Sequence, residues 1–472
     1  MTVKPRSIGI IGAGFTGTML AVHLIEHSPV PLQISLFDRR AAFGSGTAYA
    51  TPNAKHLLNV RVANMSAYDT DPDHFIRWLD ARSGESADVP SRAAFVSRGS
   101  YGRYLRATLE AARRRGGSGS SVVEVGAEVT GLRVREQSVE LDMADGRRVD
   151  VDCVALCIGN LPPALPVHPA VMPQDLGCYV ANPWDTGTLS RIASDEPVVL
   201  VGTGLTMVDV VLDLRSRGHQ GHLTALSRRG FLPVAHQDVQ PYRAFLPKDL
   251  PTTIKALFRL VRREVATAAR AGVDWRSVID ALRPQTQALW RNLPLDEQRR
   301  FLRHVRPHWE VHRHRVAPEV AAEIAELQRS GLLEVVAGRI AALEADGDGV
   351  CLQVRCRGRE QVRRLHGGWL VNCSGPQLDY GRIHDPLIRS LFDAGLARPD
   401  RLRLGLDVTD DYRLRDRTGA AARSLFALGP PIRGSLWETT AVPDIRKQCE
   451  ALARRLASSE PFGRRRLVLG LN

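Results

Sequence analysis

The chain has 472 residues, of which 44% are hydrophobic and 24% are charged, a composition typical of a globular protein with two or three domains. Its formal net charge of +13 comes from arginines scattered along the chain, so we expect anionic small molecules as partners and no nucleic acid. We find no apolar run long enough for a membrane span and expect no membrane partner. Seven cysteines, mostly in apolar runs, are typical of buried thiols in a reducing compartment, which favours a cytoplasmic enzyme.

A glycine-rich turn near the N-terminus is the most informative pattern. Residues 8–38 are predicted to form a strand, a tight turn, a helix and a second strand. Gly12 permits the sharp turn, Gly14 lets a pyrophosphate approach the backbone, and Gly17 lets the helix pack close to the strand. Asp38 ends the second strand, where a carboxylate can bind ribose hydroxyls. The pattern predicts a dinucleotide site; the alternative is a glycine-rich turn in an ordinary βαβ unit.

Two β-meanders are predicted further along the chain. The first covers residues 121–159 and leads through a buried strand to Gly159, which we predict to contact the cofactor. The second covers residues 334–375 and ends in the same way at Gly375. Each meander is predicted to feed a strand that returns beside a nucleotide-binding fold.

A second βα unit begins at residue 197. Gly202 and Gly204 lie on its turn, and Met207 stands where the third glycine of the pattern is expected, so we predict wider helix–strand packing. Its second strand ends in Arg228 and Arg229 instead of an acid. Guanidinium groups at that position suit a 2′-phosphate and favour NADPH over NADH, unless they only cover the adenine or face solvent.

The two units together predict an α/β protein with two dinucleotide-binding, Rossmann-like domains, one inserted into the other. We assign residues 1–190 and 345–472 to an FAD-binding domain and residues 191–344 to an NAD(P)H-binding domain. Within the latter, residues 251–330 are predicted to form a helical cap over the interdomain cleft, because their apolar residues repeat with a helical period.

The matching motifs span nearly the full length and resemble FAD/NAD(P)-binding proteins related to the flavin-containing monooxygenases. The chain is most similar to a bacterial branch that is thought to include an FAD-dependent urate hydroxylase. The stretches that carry the resemblance, besides the first glycine turn, are FGSGTAYATPNAKHLLNV (43–60), SRGSYGRYL (97–105), ANPWD (181–185), GTGLTMVDVV (202–211), RPHWEVHRHR (306–315), NCSGPQLDY (372–380) and GSLWETTAVPDIRKQ (434–448).

The resemblance implies a monooxygenase that uses FAD, NADH or NADPH, and O2, and that inserts one oxygen atom through a C4a-hydroperoxyflavin. Urate, converted to 5-hydroxyisourate, is the leading substrate. The alternatives are N-hydroxylation of an amine or amino acid, an NAD(P)H oxidase or reductase without oxygen transfer, and a nucleotide-binding scaffold without turnover. No cysteine precedes Cys153, so we expect no dithiol relay in the flavin loop.

The resemblance also implies flavin contacts outside the glycine turn. The segment beginning at Gly44 is expected to wrap the flavin, with His56 and Asn59 beside the isoalloxazine ring. Near the C-terminus, Thr439 and Thr440 are expected to line the flavin edge, ahead of a helix whose N-terminus points at that edge. Gly429 is expected at the ribityl phosphate, although Pro430 replaces the acid that many flavoproteins carry there.

A histidine-rich segment and the choice of a catalytic base stay open. Residues 306–315 hold H-x-E-x-H, which is not the zinc-binding order H-E-x-x-H, and we predict no metal site. Arg313 in this segment is expected to contribute to a cationic wall for an anionic substrate; the alternative is a charged helix end. No catalytic residue is identified, and His56, His236 and His312 are candidate bases, with Arg313 as a further candidate.

Overall fold

A computed structural model describes residues 5–83, 90–116, 119–164, 166–167, 176–185 and 187–458. Its strands are β1 (Arg6–Ile11), β2 (Leu32–Phe37), β3 (Ser121–Val125), β4 (Val129–Val134), β5 (Val139–Met143), β6 (Arg148–Val151), β7 (Cys153–Leu156), β8 (Tyr179–Val180), β9 (Val198–Val201), β10 (Leu223–Ser227), β11 (Leu333–Asp346), β12 (Gly349–Cys356), β13 (Val362–Gly367), β14 (Trp369–Asn372), β15 (Arg413–Arg415) and β16 (Ala421–Ala427).

The helices complete the element list. They are α1 (Phe15–His27), α2 (Gly46–Tyr49), α3 (His74–Ser83), α4 (Arg98–Arg115), α5 (Leu205–Ser216), α6 (Ile254–Arg270), α7 (Trp275–Ala281), α8 (Thr286–Asn292), α9 (Leu295–Arg300), α10 (Arg306–Arg313), α11 (Pro318–Arg329), α12 (Pro386–Asp393) and α13 (Val442–Ala457). A π-helical turn, Phe301–Val305, joins α9 to α10. No helix in these described ranges is both long and apolar enough to cross a membrane.

The first sheet has the strand order β15-β16-β7-β1-β2-β3, and all of its pairs except β15–β16 are parallel. β1 is central and its last four residues are buried, as expected for a strand covered on both faces. Helix α1 packs between this sheet and α13, and eleven of its thirteen residues are buried. On the other face lie α12 and the small antiparallel sheet β4-β5-β6.

The second sheet has the order β13-β12-β11-β10-β9-β14-β8. Strand β11 is long enough to serve two roles: its first residues pair in parallel with β10, and its remainder pairs antiparallel with β12. Because β7 and β16 pair in the first sheet while β8–β14 form the second, the second unit is inserted into the first. The predicted α/β class with two parallel, dinucleotide-type folds is confirmed.

Sheet pairing corrects both predicted domain boundaries. Tyr179–Val180 pairs with β14 of the second sheet, so that unit begins before residue 190. Strands β12, β13 and β14 also pair there, so it continues to Asn372 and past residue 344. Helices α6–α11 cover 254–329, where the helical cap is predicted, and Trp290 of the cap donates a 2.8 Å hydrogen bond to the carbonyl oxygen of Gly434.

Gly12 is the tightest point of the first nucleotide fold. Its φ is +103°, and a Cβ built there would lie 2.4 Å from the carbonyl oxygen of Cys157 on the neighbouring strand end. Gly202 repeats the arrangement in the second fold, with a φ of +121° and a built Cβ 2.2 Å from the carbonyl oxygen of Cys373. A side chain at either position needs both a strained backbone and a displaced strand.

We predict that Gly12→Ala lowers the free energy of unfolding by about 2–4 kcal/mol, because it combines left-handed backbone strain with a clash against backbone. Thermal denaturation of the purified variant measures the effect. Gly14→Ala is the matched control: its φ is −74°, and the nearest atom to a built Cβ is the Gly46 Cα at 3.6 Å. Equal melting temperatures for the two variants would contradict the prediction.

Candidate cofactor and active site

A central cavity of about 500 Å³ lies where the carboxyl ends of the parallel strands of both sheets meet. From the first sheet it is lined by the turn after β1, by Asp38 after β2, and by Gly159 after β7. From the second sheet it is lined by Leu205 and Thr206 at the start of the helix after β9 and by Gly375 after β14. The carboxyl ends of parallel strands are where such folds bind ligands.

Three helix N-termini open onto this cavity without a side-chain cap. The N-cap residues are Gly14 for α1, Gly204 for α5 and Ala441 for α13, and none provides a side-chain hydrogen bond. Some other helices do have such a cap, as Ser97 caps α4 and Thr253 caps α6. The cavity receives three positive helix ends and the free N–H groups of their first turns, fewer at α13 because Pro443 has no N–H. This environment favours anionic groups.

The first glycine turn has the geometry of a phosphate cradle. Gly12 and Gly14 line the cavity, whereas Gly17 faces the turn, since a Cβ built there would lie 1.9 Å from the Gly12 carbonyl oxygen. Gly46 follows on the far side, and its built Cβ would lie 2.8 Å from the Gly14 Cα. Backbone therefore replaces side chains on both sides of the place where a diphosphate would lie. These residues fit the pyrophosphate of FAD.

Asp38 lines the cavity beside this turn and also stabilises it. One carboxylate oxygen accepts a 3.2 Å hydrogen bond from the amide of Ala13, and the other accepts from the amides of Arg40 and Ala42 at 2.9 and 3.3 Å. Each carboxylate oxygen has further lone pairs that can accept ribose hydroxyls. Gly44 lies behind the cavity wall, and its amide donates to the carbonyl oxygen of Ala13 at 2.9 Å.

The C-terminal loop contributes Thr440 to the cavity, whereas Thr439 does not line it. Thr439 is fully buried and exchanges hydrogen bonds with Gln448 at 2.8–3.0 Å. The predicted flavin contact through Thr439 is therefore wrong, because that side chain points into the protein. Gly429 has a φ of +73°, and its amide donates to Gln448 at 3.3 Å, so it shapes the loop while Pro430 lines the cavity.

Two of the three predicted histidine bases are buried at the domain interface. Both ring nitrogens of His56 are engaged, at 2.7 Å from the Thr51 hydroxyl and 2.9 Å from the Asp209 carbonyl oxygen, and His56 does not line the cavity. His236 lies 3.0 Å from the carbonyl oxygen of Asn59, and burial lowers the pKa of its imidazole to about 4. Asn59 itself lines the cavity.

His312 also lies outside the cavity. Its Nδ1 is 2.7 Å from the carbonyl oxygen of His308, and its ring packs edge-on against Trp275. His56 and His312 are thus held by other groups of the protein and do not line the central cavity, which does not favour their predicted roles as bases. Arg313, in contrast, lines the cavity together with its neighbour His314.

A buried carboxylate ties the cap to the cavity wall. Glu438 is 3% exposed and has a φ of +68°; it accepts a 2.8 Å hydrogen bond from the indole of Trp309. Arg313 and His314 each lie 3.5 Å from its oxygens. Burial alone would raise the pKa of Glu438, but His314, Arg313 and the indole N–H together hold it well below its usual range. The carboxylate is thus charged and holds both cavity-lining side chains, Arg313 and His314, in place.

A second ion pair crosses the domain interface at the cavity. Arg98 of α4 donates to Asp209 of α5 at 2.7 Å, and both side chains line the cavity. Asn53 adds a hydrogen bond to Asp213 of the same helix at 3.1 Å. Arg98 and Asp209 each lie in a motif that carries the sequence resemblance. Neither is predicted as a site residue, because their contact joins segments more than a hundred positions apart.

The second glycine turn differs from the first as expected. Met207 stands at the third position and is fully buried. Arg228 and Arg229 follow β10 and line a separate cavity of about 1020 Å³, where Arg229 lies 2.9 Å from His308. Their guanidinium groups are therefore accessible from the carboxyl end of β10, where the ribose end of a dinucleotide is expected.

Cys157 is the cysteine on the wall of the central cavity within the described ranges. All seven cysteines are free thiols. Burial raises the pKa of the Cys157 thiol far above its usual value, which keeps it protonated. The cavity wall therefore does not carry a cysteine pair of the kind that a dithiol relay needs.

Comparison with known proteins agrees with this geometry. Residues 9–161 match the family model described as FAD-NAD(P)-binding. An uncharacterised protein of Mycobacterium tuberculosis is 24% identical over 294 residues, which cover 58% of this chain and 53% of that protein. The chain thus matches about half the length of this curated relative. The predicted resemblance to FAD/NAD(P)-binding proteins and the predicted cofactors, FAD and NAD(P), are confirmed.

Solved structures share the fold over almost the whole chain. The ornithine hydroxylase of Pseudomonas aeruginosa has a TM-score of 0.63 at 15% identity, covering 96% of this chain and 99% of its own. The ornithine N-hydroxylase of Kutzneria, with reduced FAD, NADP+ and L-ornithine, has a TM-score of 0.59 at 17% identity, covering 96% and 100%. At these identities the likeness establishes the fold alone.

We predict that Glu438→Gln lowers the free energy of unfolding by about 2–4 kcal/mol, because it leaves Arg313 in a buried position without its counter-charge. Chemical denaturation at neutral pH measures this change. Glu326→Gln is the control, since that carboxylate is 55% exposed and pairs with Arg329 on the helix surface. A loss no larger than that of the control would contradict the buried ion-pair assignment.

Proposed function

We propose that the protein is an FAD-dependent, NADPH-consuming monooxygenase that hydroxylates an amine nitrogen of an amino acid. The observation that carries this proposal is the convergence of three uncapped helix N-termini, belonging to two nucleotide folds and the C-terminal helix, on one cavity. The balanced reaction converts R–NH2, O2, NADPH and a proton into R–NHOH, NADP+ and water.

The first fold would hold FAD. Amides at the α1 N-terminus and the open backbone at Gly12 and Gly14 suit the diphosphate, and Asp38 suits the adenosine ribose. The α13 N-terminus, with Thr440 and Ala441 at the cavity, suits negative charge at the pyrimidine edge of a flavin. When bound, FAD supplies hydride acceptance and oxygen activation, the chemistry that protein side chains cannot provide.

The second fold would hold NADPH with its nicotinamide end toward the central cavity. The α5 N-terminus offers Leu205 and Thr206 to the cavity, and no atom lies within 4 Å of a Cβ built at Gly204 in the turn before it. The Arg98–Asp209 pair lies between the two folds and would fix their spacing. This arrangement would let the two cofactors meet in the central cavity.

The substrate would be oriented by Arg313. Its Nε lies 3.5 Å from Glu438, its terminal nitrogens make no hydrogen bond to the described residues, and its side chain is 11% exposed on the cavity. Burial raises the pKa of the neighbouring Asp444, and the charges of Arg283 and Arg313 oppose that rise. A buried guanidinium with free donors suits a carboxylate, the group that an amino acid carries at the end opposite a side-chain amine. Urate, the substrate first implied by the sequence resemblance, receives no support from the relatives named above.

The assay that tests this proposal follows NADPH loss, O2 uptake, hydroxylamine and peroxide in the FAD-loaded protein. We expect L-ornithine, L-lysine or a related amino acid to accelerate NADPH loss and to yield hydroxylamine nearly equal to the NADPH consumed. Peroxide equal to NADPH with every amine would instead indicate an oxidase. Acceleration by urate and by none of the amines would overturn N-hydroxylation.

Arg313→Lys provides the matched control within the same assay. Lysine keeps the positive charge beside Glu438 but loses the two-pronged donor. We expect the KM for the amino acid to rise roughly tenfold or more, while turnover of a diamine that lacks the carboxylate is unchanged. An equal effect on both substrates would remove Arg313 from carboxylate recognition.

The position of Arg228 and Arg229 predicts a preference for NADPH over NADH. We expect the double variant Arg228→Ala, Arg229→Ala to raise the KM for NADPH by roughly tenfold or more and to leave the KM for NADH nearly unchanged, because only NADPH carries a 2′-phosphate. Steady-state kinetics with both nucleotides measure this. Equal KM changes for the two nucleotides would mean that the arginines contact a shared part of the dinucleotide.

A further inference from the structure

The second cavity of about 1020 Å³ is walled by arginines from several separate parts of the chain. They come from the turn after β10, from the helical cap, from strands β11 and β12, and from the 400–405 loop that precedes the return to the first sheet. We call this cavity the arginine basin; its arginines are Arg228, Arg229, Arg299, Arg303, Arg339, Arg355, Arg357, Arg401 and Arg403.

The described residues balance only part of the positive charge of the arginine basin. Among them no aspartate or glutamate lines it. Three of its arginines have a side-chain partner: Arg299 with Asp296 at 3.3 Å, Arg403 with Asp379 at 3.2 Å, and Arg229 with His308. The other six make no ion pair or side-chain hydrogen bond with the part of the chain that the structure describes; they are Arg228, Arg303, Arg339, Arg355, Arg357 and Arg401.

The arginine basin differs from surfaces where arginines pair with carboxylates, as Arg363 does with Glu334 and Arg454 does with Glu450. Like charges that face one cavity repel each other, so the arrangement costs stability unless an anion enters. Arginine also presents a planar donor pair that matches phosphate oxygens.

The loop that carries Arg401 and Arg403 is rigidly built. The buried carboxylate of Asp400 accepts hydrogen bonds from the amides of Leu402 at 2.7 Å and Leu404 at 2.6 Å. Arg403 has a φ of +59°, a strained conformation for a residue with a side chain. The two guanidinium groups are therefore presented by a loop held in place by its own hydrogen bonds rather than by a mobile surface segment.

A dinucleotide accounts for only part of this charge. The two arginines that directly follow β10 suffice for a single 2′-phosphate. The cap arginines and the Arg401–Arg403 loop belong to other elements and surround the remaining space. We propose that the arginine basin binds, beside the dinucleotide, a compact polyphosphate: a small molecule whose several adjacent phosphate groups bridge the cap, β11–β12 and the 400–405 loop.

A small ligand fits better than a nucleic acid. A nucleic-acid backbone needs an extended groove lined with positive charge. The arginines of the basin instead line one concave space. Inorganic polyphosphate and a nucleoside triphosphate both present adjacent phosphate groups, so either could be the source of the bound phosphates. Tripolyphosphate and ATP are therefore both used as probes, and the tighter binder identifies the source.

The experiment is calorimetric titration of the FAD-loaded, full-length protein with tripolyphosphate and with ATP, in saturating NADP+. Sulfate at the same ionic strength is the reference anion. We expect saturable binding of one probe at least tenfold tighter than sulfate, with NADP+ still bound. If NADP+ prevented the binding of tripolyphosphate and ATP, the basin would be only a part of the dinucleotide site, and the proposal would be overturned. Binding of an RNA oligonucleotide without binding of tripolyphosphate or ATP, or no binding beyond sulfate, would also overturn it.

The matched variants separate the basin from the fold. Arg303→Ala with Arg401→Ala removes two cations without internal partners, so we expect at least tenfold weaker tripolyphosphate binding and a melting temperature no lower than that of the unmodified protein. Arg259→Ala with Arg263→Ala, two exposed positions of α6, is the control and should bind as before. Equal binding by both pairs would contradict the site. NADPH turnover is not a readout here, so the test stands apart from the monooxygenase assay.

Discussion

The structure depends on helix N-termini that the protein leaves without partners. At the starts of α1, α5 and α13 the residue that could cap the helix is glycine or alanine, and all three starts open into the central cavity. Burying unpaired N–H groups costs free energy unless a ligand accepts from them. Without a ligand the fold is therefore less stable than it would be with these groups paired. Binding of an anionic cofactor at the helix starts is expected to raise the free energy of unfolding.

The two nucleotide folds are then held against each other by charge. The Arg98–Asp209 pair crosses between them, and the Glu438 cluster joins the cap to the loop before α13. Aromatic packing continues that second junction, where Trp290 of the cap stacks on Trp437 at 4.9 Å. The cavity is thus enclosed by contacts among three regions of the chain, and cations that line it are fixed before any substrate enters.

Local patterns in the sequence predicted the parts of this site that depend on local geometry. Gly12, Gly14 and Asp38 could be placed because the turn, the helix and both strands lie within one short stretch. The same glycine spacing predicted the second turn. The sequence also shows that Met207 replaces the third glycine of that pattern. The boundaries at 190 and 344 differ from the sheet pairing because β8 is only two residues long and because β14 pairs with β8 and β9, which lie far from it in the sequence.

The direction in which a side chain points could also not be predicted from the sequence. Thr439 and Thr440 are neighbours with the same chemistry, yet only Thr440 reaches the cavity. His56 is a candidate base by sequence, but in the structure its Nε2 lies against a carbonyl oxygen of Asp209, which is far along the chain. Glu438 adopts a left-handed backbone that no sequence pattern marked. Tertiary contacts decide each of these cases, and one sequence does not contain them in readable form.

The protonated Cys157 has a consequence for the chemical stability of the cavity wall. The form of cysteine that hydrogen peroxide oxidises to sulfenic acid is the thiolate. Burial keeps the Cys157 thiol neutral, so the wall would react slowly with any peroxide that the proposed oxygen chemistry released there.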